Sequence, residues 1–285
     1  MDWYSLTIIG MLLFGLQHFL FKMSAEKKCN TAWTSFSFML TVAIISTVLF
    51  IFTEEAVTSY RFLLLISLLN AVTYLVTTMT RIEALKHLPT SVAYPIVRMS
   101  TVLVVLFSVV YFKDELNLYQ VLGIILALLV IVLLTRENNK RNKSVKNTKL
   151  GVILVLVSLV FSAITTIVSK FAAIGTSTLA YISISYIYNI LFTFSLRKRL
   201  QGKKDNPKQA NAIMIGIFIG ITNFIAFYLI LKAMAIGPLS LITAINGFYF
   251  IIAIILSIII YKEKLTRTRI VAIILSVAAV MLMKT

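Results

Sequence analysis

Apolar and polar positions alternate along this chain in long blocks. Apolar stretches cover residues near 5–23, 32–52, 61–83, 90–112, 118–135, 150–171, 178–196, 211–232, 239–261 and 267–283, with charged or turn-forming residues between them. A hydrocarbon core about 30 Å thick takes roughly 20 apolar residues in a helix, so this pattern predicts ten transmembrane helices. Most connections are short, which makes consecutive helices antiparallel neighbours. Two are longer and polar, Glu137 to Lys149 and Arg197 to Gln209. The first separates five spans from five. The expected domains are therefore two five-helix repeats, 1–136 and 150–285, joined by a basic loop at 137–149.

The two halves also share residues at a constant spacing of 149. Ala84-Leu85-Lys86-His87-Leu88-Pro89 opens a stretch that ends in Phe112-Lys113-Asp114-Glu115-Leu116-Asn117. Ala233-Met234-Ala235-Ile236-Gly237-Pro238 opens another that ends in Tyr261-Lys262-Glu263-Lys264-Leu265-Thr266. Pro89 pairs with Pro238, Ser91 with Ser240, Lys113 with Lys262 and Asp114 with Glu263. Five spans is an odd number, so the second copy enters the membrane from the opposite side. The expected fold is an all-α polytopic membrane protein of two inverted repeats, a plan that many secondary transporters use.

Composition agrees with that class. Of 285 residues 60% are hydrophobic and 13% charged, at a mean hydropathy of +0.97, where soluble domains carry about 25% charged residues. The net charge of +17 lies in short loops between apolar spans, where membrane topology accounts for it, so no nucleic-acid partner is expected. Cys29 is the single cysteine; it allows no intrachain disulfide and no thiolate metal site. The N-terminus has no basic segment or small-residue cleavage site, so residues 5–23 read as a retained span. Of the 27 Lys and Arg residues, 21 lie in the loops after odd-numbered spans and five (Arg61, Lys113, Lys170, Lys232 and Lys284) on the other side. The basic side belongs in the cytoplasm, which places both termini outside the cell membrane.

Several motifs resemble the drug/metabolite transporter superfamily in its ten-helix EamA-like form, across nearly the whole chain. Phe14-Gly15-Leu16-Gln17 followed by Lys22 is similar to that family's first-helix pattern. Leu88-Pro89-Thr90-Ser91-Val92-Ala93-Tyr94-Pro95-Ile96 is similar to the start of its fourth helix. Lys113-Asp114-Glu115-Leu116 and Lys262-Glu263-Lys264-Leu265 are similar to its Gly-Glu-Arg-Leu turn, with Lys in place of Gly. Gly123 matches a helix-five glycine, replaced by Ala272 in the second copy. The related small multidrug-resistance proteins carry an embedded Glu eight residues before the first-helix Lys; here that position is Phe14, and Ser162 before Lys170. No Asp or Glu lies near the middle of a span, which argues against proton coupling through such a group. Familiar ten-helix relatives keep both termini in the cytoplasm, and the charge distribution here argues the reverse.

Candidate substrate-binding residues are Gln17, Tyr74, Tyr94, Arg98, Ser162, Asn223, Asn246 and Tyr249. Arg98 lies about eight residues into span four, roughly 12 Å deep at 1.5 Å per residue. A charge at that depth faces a cavity or a partner: it either forks onto a carboxylate or phosphate, or snorkels or pairs with Glu83 as a structural residue. Tyr94 shares its face one turn earlier, and Pro95 should loosen the helix between them. Asn246 and Tyr249 share a face of span nine, where an Asn equally well makes an interhelical hydrogen bond. Ser158, Ser162, Thr165 and Ser169 form one stripe; Phe14, Gln17, His18 and Phe21 form another. If the halves pair as in the family, both stripes face the centre; plain helix packing is the alternative. Tyr74 and Asn223 occupy equivalent places in spans three and eight.

No phosphate-binding Gly loop, nucleophile elbow, His-Glu-x-x-His or carboxylate cluster is present, so neither an enzyme, an ATP-driven pump nor a cofactor is expected. The expected function is a facilitator or exchanger moving small organic metabolites across the bilayer by alternating access. Arg98 favours amino acids and related carboxylates, and a monomer is sufficient. A lipid-linked flippase or membrane assembly subunit of the same superfamily is the alternative.

The charge distribution generates a topology test. In a Cys29→Ser background, an impermeant thiol reagent added outside should label Thr285→Cys and miss Asn142→Cys; reversed labelling overturns the orientation.

Overall fold

Within hydrocarbon a chain must satisfy its own backbone N–H and C=O groups, so each apolar stretch winds into helix. The computed structural model describes residues 1–27, 29–53, 55–84, 87, 96–138, 148–195, 209–262 and 266–284. The first half contributes α1 (Trp3–Glu26), α2 (Thr31–Thr53), α3 (Tyr60–Ala84), α4 (Ser100–Phe107) and α5 (Leu118–Asn138). A π-helical turn, Ser108–Phe112, continues α4. The second half contributes α6 (Thr148–Gly175), α7 (Thr178–Ser195), α8 (Gln209–Ile236), α9 (Leu239–Asn246), α10 (Tyr249–Tyr261) and α11 (Arg267–Leu282). The described residues are all-helical, and six of their apolar segments are long enough to cross a membrane. Pro89, Ser91, Tyr94, Pro95, Glu263 and Lys264 lie outside the described residues.

Helix starts in both halves carry side-chain caps. Asn30 Oδ1 accepts from the Ala32 N–H at 2.9 Å to cap α2, and Ser177 Oγ accepts from the Ala180 N–H at 3.1 Å to cap α7. Asn117 caps α5 and Thr266, 149 residues on, caps α11. Asn117 and Gln120 cap each other reciprocally, the exchange that satisfies two orphan N–H donors at once.

Packing exchanges the two halves. The first helix, α1, packs against α8 and α10 of the second half, and α6 packs against α3 and α4 of the first. Likewise α2 meets α8 while α7 meets α3; α2 meets α7, and α5 meets α11. Lys22 lies over the Tyr261 ring at 5.4 Å and Lys170 over the Phe112 ring at 5.5 Å, and the two aromatic positions are 149 residues apart. The α2–α8 contact depends on two small residues a turn apart. A Cβ at Gly216 would lie 2.6 Å from Thr34 O, and one at Gly220 2.6 Å from Thr41 Cβ, so larger residues would drive the helices apart.

One end of the bundle gathers both termini. Tyr4 Oη donates to Val280 O at 3.2 Å, and Gly237 abuts Trp3. Glu55 meets Ser177 and Lys232, Gly175 abuts Phe62, and Asp114 meets Ser240. The Lys22–Tyr261 pair lies toward the other ends of α1 and α10.

Among the described residues only Lys113 (φ 54°, ψ 41°) and Lys262 (φ 51°, ψ 37°) adopt the left-handed region outside glycine. These are the two positions where the resembling turn has Gly. An L-residue there carries about 1–2 kcal/mol of steric cost that Gly lacks. Lys113→Gly and Lys262→Gly should therefore each raise thermal stability, by up to about 1 kcal/mol after glycine's greater unfolded-state entropy is counted; detergent-phase thermal unfolding measures it.

Candidate functional site

Two spans are broken at equivalent places. The helical backbone before α4 turns at Met99 (φ −62°, ψ −9°), and the one between α9 and α10 turns at Gly247 and Phe248 (φ −81°, ψ −1° at Phe248). Met99 and Phe248 are 149 residues apart. Sequence reasoning expected Pro95 to loosen span four and did not foresee the second break. The breaks bring Arg98 and Tyr249 together.

Arg98 Nη2 donates to Tyr249 Oη, and its guanidinium carbon lies 4.4 Å from the Tyr249 ring centroid and 5.9 Å from that of Phe250. The His18 ring stacks on Tyr249 at 4.2 Å with 14° between planes, and Phe14 lies 6.4 Å away at a tilt. Gly15 permits this closeness: a Cβ there would lie 2.7 Å from Tyr249 O. Among the described residues Arg98 forms no salt bridge; its acceptor is Tyr249 and not Glu83. A guanidinium carries five N–H donors, and Tyr249 accepts from one of them. More than a third of the His18 surface is accessible.

Beside this cluster a second chain of polar groups crosses three helices. Tyr186 Oη of α7 donates to Asn223 Oδ1 of α8, and Asn223 Nδ2 donates to Gln17 Oε1 of α1 at 3.1 Å. Gln17 and Asn223 are buried, Tyr186 is half-buried and Tyr74 is 38% exposed. Phe38 lies 5.8 Å edge-on to Tyr186, and Phe227 6.5 Å from it.

Gln17, Asn223, Arg98 and Tyr249 thus come together around α1, while no hydrogen bond or ring contact joins Tyr74 to them among the described residues. Asn246 lies at the end of α9 with Oδ1 buried and without a partner among the described residues, as is Thr243 Oγ1 one turn earlier. The interhelical bond expected of Asn246 is absent there. Half-buried Ser162 accepts through its carbonyl from Thr166 Oγ1 at 3.1 Å. Its stripe divides: Ser158 donates to Thr77 O at 3.0 Å, and Ser169 accepts from Asn70 Nδ2 at 3.2 Å and meets Tyr181 Oη at 3.2 Å. Those two serines pack α6 against α3 and α7. Tyr94 is outside the described residues. Tyr186 was not foreseen; its only signal was a polar spacing with Ser183 and Asn189 in α7. His18, on the stripe with Phe14, Gln17 and Phe21, lies outside the candidate set and enters the group through its stack on Tyr249.

The model of the EamA-like transporter family matches residues 1–136 and again residues 149–285. A solved structure titled only as the crystal structure of a protein is similar in fold, with a TM-score of 0.80 at 14% identity over 98% of this chain and 95% of that one. No curated protein matches the sequence.

The Gln17–Asn223 bond generates a stability test. Removing one partner leaves a buried amide unpaired, at about 1–3 kcal/mol in soluble proteins and less within membranes. Gln17→Leu and Asn223→Leu should each lower the thermal midpoint, and the double variant should lose less than the sum. A coupling of about 1 kcal/mol in the double-mutant cycle is expected; strict additivity contradicts a shared bond.

Proposed function

The chain belongs to the EamA-like transporter family, a family of membrane transporters, and we propose that it is a secondary transporter carrying a small organic carboxylate by alternating access. Amino acids and related metabolites have the chemistry that Arg98 would select. In this reading ten spans form two inverted five-helix repeats. The exchanged packing of α1 and α6 supports the repeat, and the meeting of both termini at one end supports an even number of crossings. The charge distribution supports a cell-membrane protein with extracytoplasmic termini. A single chain in the bilayer supplies the whole site, so a monomer is sufficient.

The observation that carries the reading is Arg98 beside His18 and Tyr249, without a carboxylate among its described partners. A half-buried cation without a counter-ion within a span is costly, and an anionic substrate removes that cost on arrival. Tyr249 holds the guanidinium plane by a hydrogen bond and a cation–π contact, so its fork is oriented before substrate binds. Gln17, Asn223, Tyr74, Tyr94, Ser162 and Asn246 would contact the rest of the molecule. No Asp or Glu lies in mid-span to carry a coupling proton. A facilitator or exchanger follows, driven by substrate gradients.

The test is transport in proteoliposomes against a panel of carboxylate metabolites. Arg98→Lys keeps the charge and loses the fork; it should raise apparent KM about tenfold. Arg98→Ala should raise it about a hundredfold, as loss of a charge-assisted pair of hydrogen bonds would, with thermal stability retained. Unchanged KM with a fallen thermal midpoint would make Arg98 a brace for Tyr249 only.

A further inference from the structure

Two carboxylates at the end that carries the termini join one half of the chain to the other, and neither takes part in the site just described. Asp114 follows the π-helical turn of the first half. Its Oδ2 accepts from Ser108 Oγ of the same half, and from Ser240 N at 2.9 Å and Ser240 Oγ at 2.6 Å in the second. Ser240 lies in the first turn of α9, so Asp114 caps the helix that leads to Asn246 and the break before Tyr249. Glu55 lies between α2 and α3. It accepts from Ser177 Oγ at 2.6 Å and from the Leu179 N–H at 3.5 Å, and pairs with Lys232 at 3.3 Å, all in the second half. Partial burial disfavours its charge, but the Ser177 bond, Lys232 and the Leu179 N–H together outweigh burial and hold the carboxyl below its ordinary range. Each carboxylate therefore replaces lost hydration with partners from the other half, to which Ser108 adds one from Asp114's own.

The two repeats differ at this point. Ser108 lies in the π turn and gives its hydroxyl to Asp114, whereas Ser257, 149 residues on, gives its hydroxyl to Ala253 O at 2.7 Å within regular α10. A π turn within a helix commonly marks a functional position. Equivalent residues in two conformations are what two repeats that open and close in turn would display.

We infer that Asp114 and Glu55 latch the two halves together at the end holding the termini, and that the structure is the state closed at that end. The inference rests on the alternating-access reading. Opening at that end separates Asp114 from Ser240 and Glu55 from Lys232 and Ser177, and water then enters toward His18, Tyr249 and Arg98. Since each bond is made in only one of the two states, each biases the equilibrium between them.

The experiment places a reporter, Ser162→Cys in a Cys29→Ser background, in right-side-out and inside-out membrane vesicles. An impermeant methanethiosulfonate reagent is applied from each side. From the side of the termini, labelling should run about tenfold faster with Asp114→Asn or Glu55→Gln than without, a shift of about 1.4 kcal/mol; from the other side it should not accelerate. Equal rates with and without the substitutions overturn the latch and leave the transport reading standing. Equal acceleration from both sides shows general loosening and also overturns it. A reporter labelled from neither side in any background sinks the cavity and the latch together. A second arm does not depend on weakened variants. Glu55→Cys with Lys232→Cys, bridged by a short reducible bifunctional thiol reagent, should stop transport until the bridge is reduced. Transport that continues through the bridged protein overturns the latch.

Discussion

A helix inside a membrane can be broken only where the freed backbone groups are surrounded by protein or face a polar space. The chain breaks two helices, at Met99 and at Gly247–Phe248, and the rest of the architecture follows from where those breaks must lie. α1 packs against α9 and α10 on either side of the second break, and α6 packs against α4 after the first. Each break also ends one helix and starts another at mid-depth. Side chains there are aimed by the new helix start and not by the axis of a continuous span. Tyr249 is the first residue of α10, and this places its ring between α1 and Arg98.

Exchange of the first helices ties the halves together at close range. In hydrocarbon no hydrophobic force drives one apolar helix onto another, so close packing and interhelical hydrogen bonds carry the association. Small residues stand where the contacts are tightest: Gly15 against Tyr249 and Ile252, Gly216 and Gly220 against α2. Polar bonds follow at the same interfaces, Gln17 to Asn223 between α1 and α8 and Asn70 to Ser169 between α3 and α6. The residues that hold the bundle together and those around the candidate site are thus neighbours on the same helices. Adjacent Gln17 and His18 show this most directly.

Charged groups near the span ends are neutralised by geometry as much as by opposite charge. Buried Lys170 donates to the carbonyls of Met234 and Gly237 at the end of α8, where the helix dipole favours a cation. Asp114 accepts at the start of α9, where it favours an anion. The turn between α8 and α9 therefore lies between two ions of complementary sign. Arg98 differs in its acceptor, which is the Tyr249 hydroxyl and not a helix-end carbonyl, and that contrast gives it its interest.

The apolar period and the spacing of 149 marked out the helices and the paired turns at Lys113 and Lys262, because a backbone in hydrocarbon has one way to satisfy itself. The motifs around Gly15 and Lys113 were enough to reach the family. Span and repeat are properties of residues near one another in the chain, and so are legible there. Which polar residues meet is not. Ser158, Ser162 and Ser169 look alike as one stripe, yet Ser158 and Ser169 bond to α3 and α7. Tyr186 carries only a polar spacing with Ser183 and Asn189 in the sequence and still joins the Asn223–Gln17 pair. Arg98 finds Tyr249, 151 residues away, and not Glu83 on the preceding helix. Those meetings depend on the rotation of each helix about its axis and on α1 crossing into the other half. Spacing along a single helix encodes neither, so tertiary packing alone decided the site.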